Sequence, residues 1–189
     1  MINGGRTHSA PALTSKITSQ RWSAGVMMTD ARQGLARDVP RRGGAVVLAR
    51  GRMLLIRYAP EDGHKYFIPG GGVEPGEAPS ATAERELAEE TGLIGTAERP
   101  LAVVRNSDRV EHYSLMRLDD PDHAEQRAAP GDLSPGQQLD WVDVALMPST
   151  PVWPKRLAWR ITEWSTNGWP DRPVELDDSI RDLHAPCDW

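Results

Sequence analysis

Cysteine is almost missing from this chain of 189 residues: Cys187 is the only one, so no intrachain disulfide can form and nothing marks an oxidising compartment. The lone thiol is also a poor candidate for a catalytic nucleophile. No Cys/His cluster offers a zinc site. An excess of positive charge is lacking too. The formal net charge is −5 and the pI about 5.5, which argues against a nucleic-acid polymer or an anionic membrane as partner, because both select for a basic surface. Long apolar runs are absent: the longest uninterrupted aliphatic stretches, 45–49 and 53–56, fall far short of the roughly 20 residues that span a bilayer. The N-terminal residues show no signal-peptide apolar core. A cytoplasmic protein acting on a small molecule is therefore the expectation, with no membrane partner, and the length suits one domain with extensions.

What the chain does contain is an unusual concentration of acid. Residues 71–93 read GGVEPGEAPSATAERELAEETGL, a glycine-rich turn feeding a helix that carries Glu84, Glu86, Glu89 and Glu90 around a single Arg85. Glu86 and Glu90 stand four apart and share a helix face with Glu89, a like-charge arrangement that costs a few tenths of a kcal/mol per pair. These acids crowd the last turn before Gly92, where the helix dipole already places partial negative charge and favours Lys or Arg. Local rules that fail together at one place mark a functional site, and a bound cation is the simplest compensation. Carboxylates with a nearby backbone carbonyl make a hard oxygen site suited to Mg²⁺ or Mn²⁺, with positions left for substrate phosphates. Gly71 and Gly76 have the separation of a phosphate-binding loop, but Glu77 stands where that motif needs lysine.

The spacing is more specific than the composition. A glycine, five residues, a glutamate, seven residues, then Arg-Glu-Leu-x-Glu-Glu-x-Gly and an aliphatic residue are matched by Gly71, Glu77, Arg85, Glu86, Leu87, Glu89, Glu90, Gly92 and Leu93. In this the segment resembles the box of the Nudix hydrolases. The resemblance is strong over the box and extends more weakly, by element order, from about 41 to 165. It implies an α+β fold, an α/β/α sandwich with a mixed β-sheet between helices. It implies divalent metal, Mg²⁺ with Mn²⁺ as the alternative, held by Glu86, Glu89, Glu90 and the carbonyl of Gly71, with Glu89 and Glu90 as the principal ligands. Glu86 is then either a ligand or the general base. Arg85 orients carboxylates, and Glu77 pairs with Arg85 or binds metal. Glu86, Glu89 and Arg85 are the expected catalytic set.

Along the chain, residues 1–40 mix Gly, Ser, Thr, Arg and Pro with no sustained period and read as a poorly ordered or partner-dependent arm. Residues 41–168 form the expected domain. Within it, 45–49 and 53–58 read as a hairpin around Arg50-Gly51, and 66–69 as a short strand entering the glycine turn. Pro79 and Gly92 bracket a helix at 78–91. Strands are expected at 101–105, 110–118 and 141–144, with the face of 110–118 ambiguous. A loop at 119–138 is too long for a hairpin and reads as functional or mobile. A helix runs from Pro154 towards Gly168, with Leu157, Ile161 and Trp164 as its packing stripe. The tail 169–189 shows no element.

The function these readings imply is metal-dependent hydrolysis of a pyrophosphate bond in a nucleoside diphosphate linked to another moiety. Two alternatives stay open: a triphosphate pyrophosphohydrolase that sanitises nucleotides, and a non-catalytic nucleotide sensor on the same fold. The partner is a small nucleotide-type molecule, and a homodimer stays open beside a monomer. Arg57, Tyr58, His64, Tyr66 and Phe67 precede the box, where a base could stack or a phosphate be paired. Asp119, Asp120, Asp122, Glu125 and Asp132 in the long loop offer an extra base or ligand, with a solvated loop as the plainer reading. Six of the seven tryptophans fall from Trp141 onward and read as packing of the last helix and tail.

Overall fold

The apolar run at 45–49 does not stay in one sheet. In a computed structural model, which describes residue 39 and residues 41–59, 63–106 and 108–185, strand β1 (Arg41–Val46) ends one residue before β2 (Leu48–Ala49), and the two belong to different sheets. The turn Arg50-Gly51, both residues at positive φ, returns the chain into β3 (Arg52–Tyr58), which pairs antiparallel with β2. The hairpin expected from the sequence is present. Of the arm 1–40 only residue 39 is described, and Cys187 lies outside the described residues.

The remaining elements follow in order: β4 (Lys65–Phe67), β5 (Gly70–Gly72), α1 (Pro79–Thr91), β6 (Gly95–Arg105), β7 (Val110–Leu118), the single-turn α2 (Ala124–Arg127), β8 (Gln137–Asp143), a 3₁₀ turn (Val144–Leu146), β9 (Val152–Trp153), α3 (Lys155–Asn167) and β10 (Val174–Asp177). One sheet runs β10-β6-β7-β1-β5 and is mixed, because β1 is parallel to β7 and β10 parallel to β6. The other joins β2, β3, β4 and β9, with β8 on the far side of β3. The mixed sheet expected between helices is thus built as two five-stranded sheets.

Period-two alternation sends neighbouring residues to opposite cores. Val46, Met53, Leu55, Leu101, Val104, Tyr113 and Leu115 join Leu157, Ala158, Ile161 and Trp164 of α3 in one cluster. Ala45, Val47, Leu54, Met116 and Leu118 join Ala83 and Leu87 of α1 in the other. This settles the face of β7: Tyr113 and Leu115 meet the first core, Met116 and Leu118 the second. The layers are helix, sheet, helix, an α+β sandwich. Among the described residues no helix is long and apolar enough to cross a membrane.

Three parts differ from the sequence reading. The loop at 119–138 is fastened rather than free: it contains α2, and Ala129, Gly131 and Asp132 donate their backbone N–H groups to the carbonyls of Thr91, Glu90 and Glu89 at 3.0, 3.0 and 2.8 Å. These carbonyls end α1 and have no partner within the helix. Strand β6 starts earlier than expected, at Gly95, running through register shifts between Ala97 and Arg99 and between Pro100 and Ala102. The tail supplies β10 and a helix cap. Asp178, buried, accepts the N–H of Arg156 at 2.8 Å, which serves the first turn of α3, whose N-cap Pro154 offers no side-chain bond.

Candidate active site

Glycine strand β5 is held against α1 by its pairing with β1: Gly70, Gly71 and Gly72 face Gly44, Gly43 and Arg42. At Gly43, Gly70 and Gly71 the fit leaves no room for a side chain. A Cβ on Gly43 would sit 2.3 Å from the Pro79 carbonyl oxygen, and one on Gly71 would sit 1.9 Å from Glu86 Oε1. Glycine at 71 therefore keeps a bare backbone edge directly against a carboxylate. Gly92, at φ 68°, ends α1 in the left-handed conformation and donates its N–H to Ala88 O.

Arg85 organises the acids. Its Nε and Nη2 donate to the two oxygens of Glu77 at 3.1 and 3.2 Å, its Nη1 donates to Glu86 Oε1 at 2.8 Å and Glu89 Oε2 at 2.9 Å, and Nη2 also reaches Gly72 O at 3.2 Å. Glu77 accepts further bonds from the Glu74 N–H at 3.1 Å and the Thr82 hydroxyl at 2.8 Å. These donors, Arg85 first, bring the Glu77 carboxyl down to about 2. The guanidinium is in turn held charged more firmly than an ordinary arginine, chiefly by Glu77. Of the two roles open to Glu77, the structure shows the pairing with Arg85.

Glu90 is treated differently. It lies deeper than Glu89, accepts the Gly70 N–H at 2.8 Å, and its carboxyl is pushed up to about 7, first by burial and then by the charges of Glu86 and Glu89, against the lowering effects of Gly70 and Arg42. Among the described residues no three Asp, Glu, His or Cys side chains gather around one point. In place of three converging carboxylates, Glu86 and Glu89 lean on the nearest cation, Arg85, and Glu90 on the glycine strand. The donors nevertheless suit a hard divalent cation. Three carboxylates within five residues of one helix, one of them pushed up to about 7 by burial and then by its neighbours' charge, stand beside a backbone that glycine leaves open.

Glu90 also borders a cavity of about 460 Å³. Of the five residues preceding the box, Phe67 lines it; Tyr66 donates to Asp140 at 3.3 Å, Arg57 pairs with Gln138 and Asp140, and His64 packs edge-on against Tyr66. Of the acids in the long loop, Asp132 reaches the cavity. Asp120 pairs with His123 and Arg127, and Glu125 with Arg52. Trp153, expected as packing, is a cavity wall.

Sequence reasoning missed Arg42, Arg109, Glu111 and Tyr113, all on the cavity. Glu111 is 1 % exposed. It accepts from the Tyr113 hydroxyl in a very short hydrogen bond and from Asn106 Nδ2 at 3.1 Å, and pairs with Arg109 at 3.6 Å. Burial and the Glu111 charge hold the Tyr113 phenol protonated, with its pKa well above 10. The sequence held little signal for these residues, since Glu111 shares its strand with His112, Ser114 and Arg117 and an acid there does not stand out.

The family model of the NUDIX domain matches residues 39–164. The chain belongs to the Nudix family. Its Nudix box is the loop-and-helix segment that carries Gly71, Arg85 and the glutamates. The rat diphosphoinositol polyphosphate phosphohydrolase 2 is 47 % identical over 45 residues, 24 % of this chain and 25 % of that protein, so the chain spans about a quarter of the length of the curated relatives it matches. Among solved structures, a Nudix hydrolase from Nitrosomonas europaea is 20 % identical with a TM-score of 0.58, covering 74 % of this chain and 79 % of that one. An ADP-ribose pyrophosphatase from Streptococcus suis is 17 % identical with a TM-score of 0.53, covering 74 % and 99 %. At these identities the likeness is one of fold.

Proposed function

We propose that this Nudix protein hydrolyses the pyrophosphate bond of a nucleoside diphosphate linked to another moiety, with Mg²⁺, or Mn²⁺ in its place, held by Glu86, Glu89, Glu90 and the Gly71 carbonyl. The observation that carries the reading is the placement of the three box glutamates on the last two turns of α1, with Glu86 and Glu90 against the bare edge of β5 and Glu90 on the cavity wall. Bound there, the cation would neutralise charge on the phosphate oxygens and lower the pKa of the attacking water. The protein's own groups do the rest. Arg85, itself fixed by Glu77, restrains Glu86 beside Gly71 and holds Glu89 one turn farther on, a positioning role that cuts the reorganisation needed for reaction. The Gly70 N–H holds one oxygen of Glu90 and so sets the direction of the other. Either Glu86 or Glu89, whichever is not saturated by ligation, accepts the proton of the water.

Chromatographic identification of products after incubation with Mg²⁺ and a panel of triphosphates, ADP-ribose, NADH, dinucleoside polyphosphates and nucleotide sugars tests the reading. Cleavage of a linked nucleoside diphosphate, reduced about 10²-fold or more in Glu89→Gln, is the expected result for a residue in general acid–base or ligand work. Near-normal turnover by that variant would overturn the site. Cleavage confined to triphosphates would move the protein to nucleotide sanitation, and binding without any product under either metal would make it a sensor.

A further inference from the structure

The cavity that Glu90 borders carries arginines beside its acids. Arg42 and Arg109 line the cavity that holds Glu90. The same two side chains border a neighbouring hollow of about 300 Å³ together with Arg41. Arg109 and Trp153 border a further hollow of about 240 Å³ that Arg181, from the tail, also lines. Arg109 therefore stands where all three spaces meet. It is placed there by the short connection between β6 and β7, in which Asn106 Oδ1 accepts the N–H groups of Asp108 and Arg109, both at 3.0 Å, while Asn106 Nδ2 and Arg109 Nε anchor to buried Glu111.

The result is a rim of four guanidinium groups continuous with the candidate active site, in a chain whose net charge is −5. Asp108 and Glu111 are the counter-charges on it, and Glu111 is held by Tyr113, Asn106 and Arg109 itself. Arg41 and Arg181 have no side-chain partner among the described residues, and the Arg41 charge, after burial, helps hold His112 below the usual imidazole range. Because Arg42 and Arg109 share a cavity with Glu90, a substrate whose pyrophosphate sits at the glutamates has these groups within the same space. Guanidinium forks match the oxygens of a phosphate bidentately, and a phosphomonoester, with close to two negative charges at neutral pH, is the ligand that best repays four of them.

We propose, building on the hydrolase reading above, that the substrate carries a phosphomonoester beyond the pyrophosphate that is cut, and that Arg41, Arg42, Arg109 and Arg181 bind it. The preferred substrates are then phosphorylated dinucleotides and related anhydrides over their unphosphorylated counterparts.

Binding, measured by calorimetry in EDTA, tests the rim without asking for turnover. The probes are adenosine 2′,5′-bisphosphate, adenosine 3′,5′-bisphosphate and adenosine 5′-monophosphate. At least one bisphosphate is expected to bind tenfold or more tightly than the monophosphate, with the advantage shrinking as salt rises. The double variant Arg41→Gln/Arg181→Gln should reduce the ratio at least fivefold, whereas Arg172→Gln, on none of these walls, should leave it in place. Which bisphosphate wins distinguishes a 2′- from a 3′-phosphate. Equal affinities, no binding of any probe, or an advantage that survives the double variant would overturn the proposal. Kinetics on matched pairs, NADPH against NADH and coenzyme A against its dephospho form, carry the same prediction into kcat/KM. Absence of hydrolysis alongside selective bisphosphate binding would remove the reaction and keep the site.

Discussion

Gly131 is the residue on which the fastening of the long loop to the glutamate helix depends. A Cβ added there lies 1.9 Å from the carbonyl oxygen of Glu89, a backbone atom that cannot swing aside, so the loop has to withdraw by roughly 1.5 Å or more to restore a normal contact. Gly131 is not among the glycines at positive φ, which leaves contact, not backbone conformation, as the cost of Gly131→Ala. Two hydrogen bonds are at risk, Gly131 N–H to Glu90 O at 3.0 Å and Asp132 N–H to Glu89 O at 2.8 Å. Each contributes about 0.5–1.5 kcal/mol. Overpacking a filled site costs about 1–3 kcal/mol more, for a total loss of about 2–6 kcal/mol. At about 2–4 °C per kcal/mol for a domain of this size, the middle of that range lowers Tm by roughly 8–16 °C. Thermal unfolding followed by circular dichroism measures it, with Gly72→Ala as the control, since a Cβ at Gly72 meets nothing within 4 Å. A fall of less than about 2 °C, or one matched by the control, would refute the claim that this loop caps α1.

Gly71→Ala should separate activity from stability in the opposite direction. Its Cβ meets the flexible end of Glu86, so Tm should move little while turnover with Mg²⁺ falls by about 10²-fold, as for a misplaced catalytic group; equal kcat/KM would sink the role assigned to that contact. Glu77 ionises in the fold near pH 2, against an ordinary 4.5, so the stability it contributes is complete above about pH 4.5 and is lost as pH falls towards 2. Glu77→Gln should therefore flatten the decline of Tm between pH 5 and 2, and parallel curves for the two proteins would contradict the pairing with Arg85. Glu90, pushed up to about 7, is costly to ionise in the fold, so Glu90→Gln should raise Tm at pH 8 in EDTA while abolishing turnover; a variant less stable than the parent at that pH would count against the burial argument.

The parts of the molecule written locally were the parts the sequence disclosed. Helix α1 announces itself through Pro79, Gly92 and the spacing of its acids, all within one segment, and the Arg50-Gly51 turn is equally self-contained. The passage of the chain from one sheet to the other at Val47 left no mark, because a run of small aliphatic residues looks the same whether it continues or changes partners. Strand β10 was hidden for a related reason: Val174 and Leu176 are too few to make a pattern, and what makes them a strand is the edge of β6, seventy-odd residues earlier in the chain. The glutamates of the candidate site were legible in type and in grouping. Their division between Arg85 and Gly70 was not, since it depends on where β5 lies against the helix. Arg42, Arg109 and Glu111 come from strands and a hairpin that meet only in the folded molecule, so no spacing rule could have joined them.

Asp178 has a practical bearing on how this protein is made. The family match stops at 164, and a fragment cut to that boundary would remove the last residues of α3, the edge strand Val174–Asp177 and the carboxylate that closes the first turn of the helix. A cap of this kind is worth about 1 kcal/mol by itself, and the strand covers apolar surface around Leu176 as well. Expression fragments that end after 180 keep the fold's own fastening, and shorter ones begin with a frayed helix against an open sheet edge, the combination from which inclusion bodies grow.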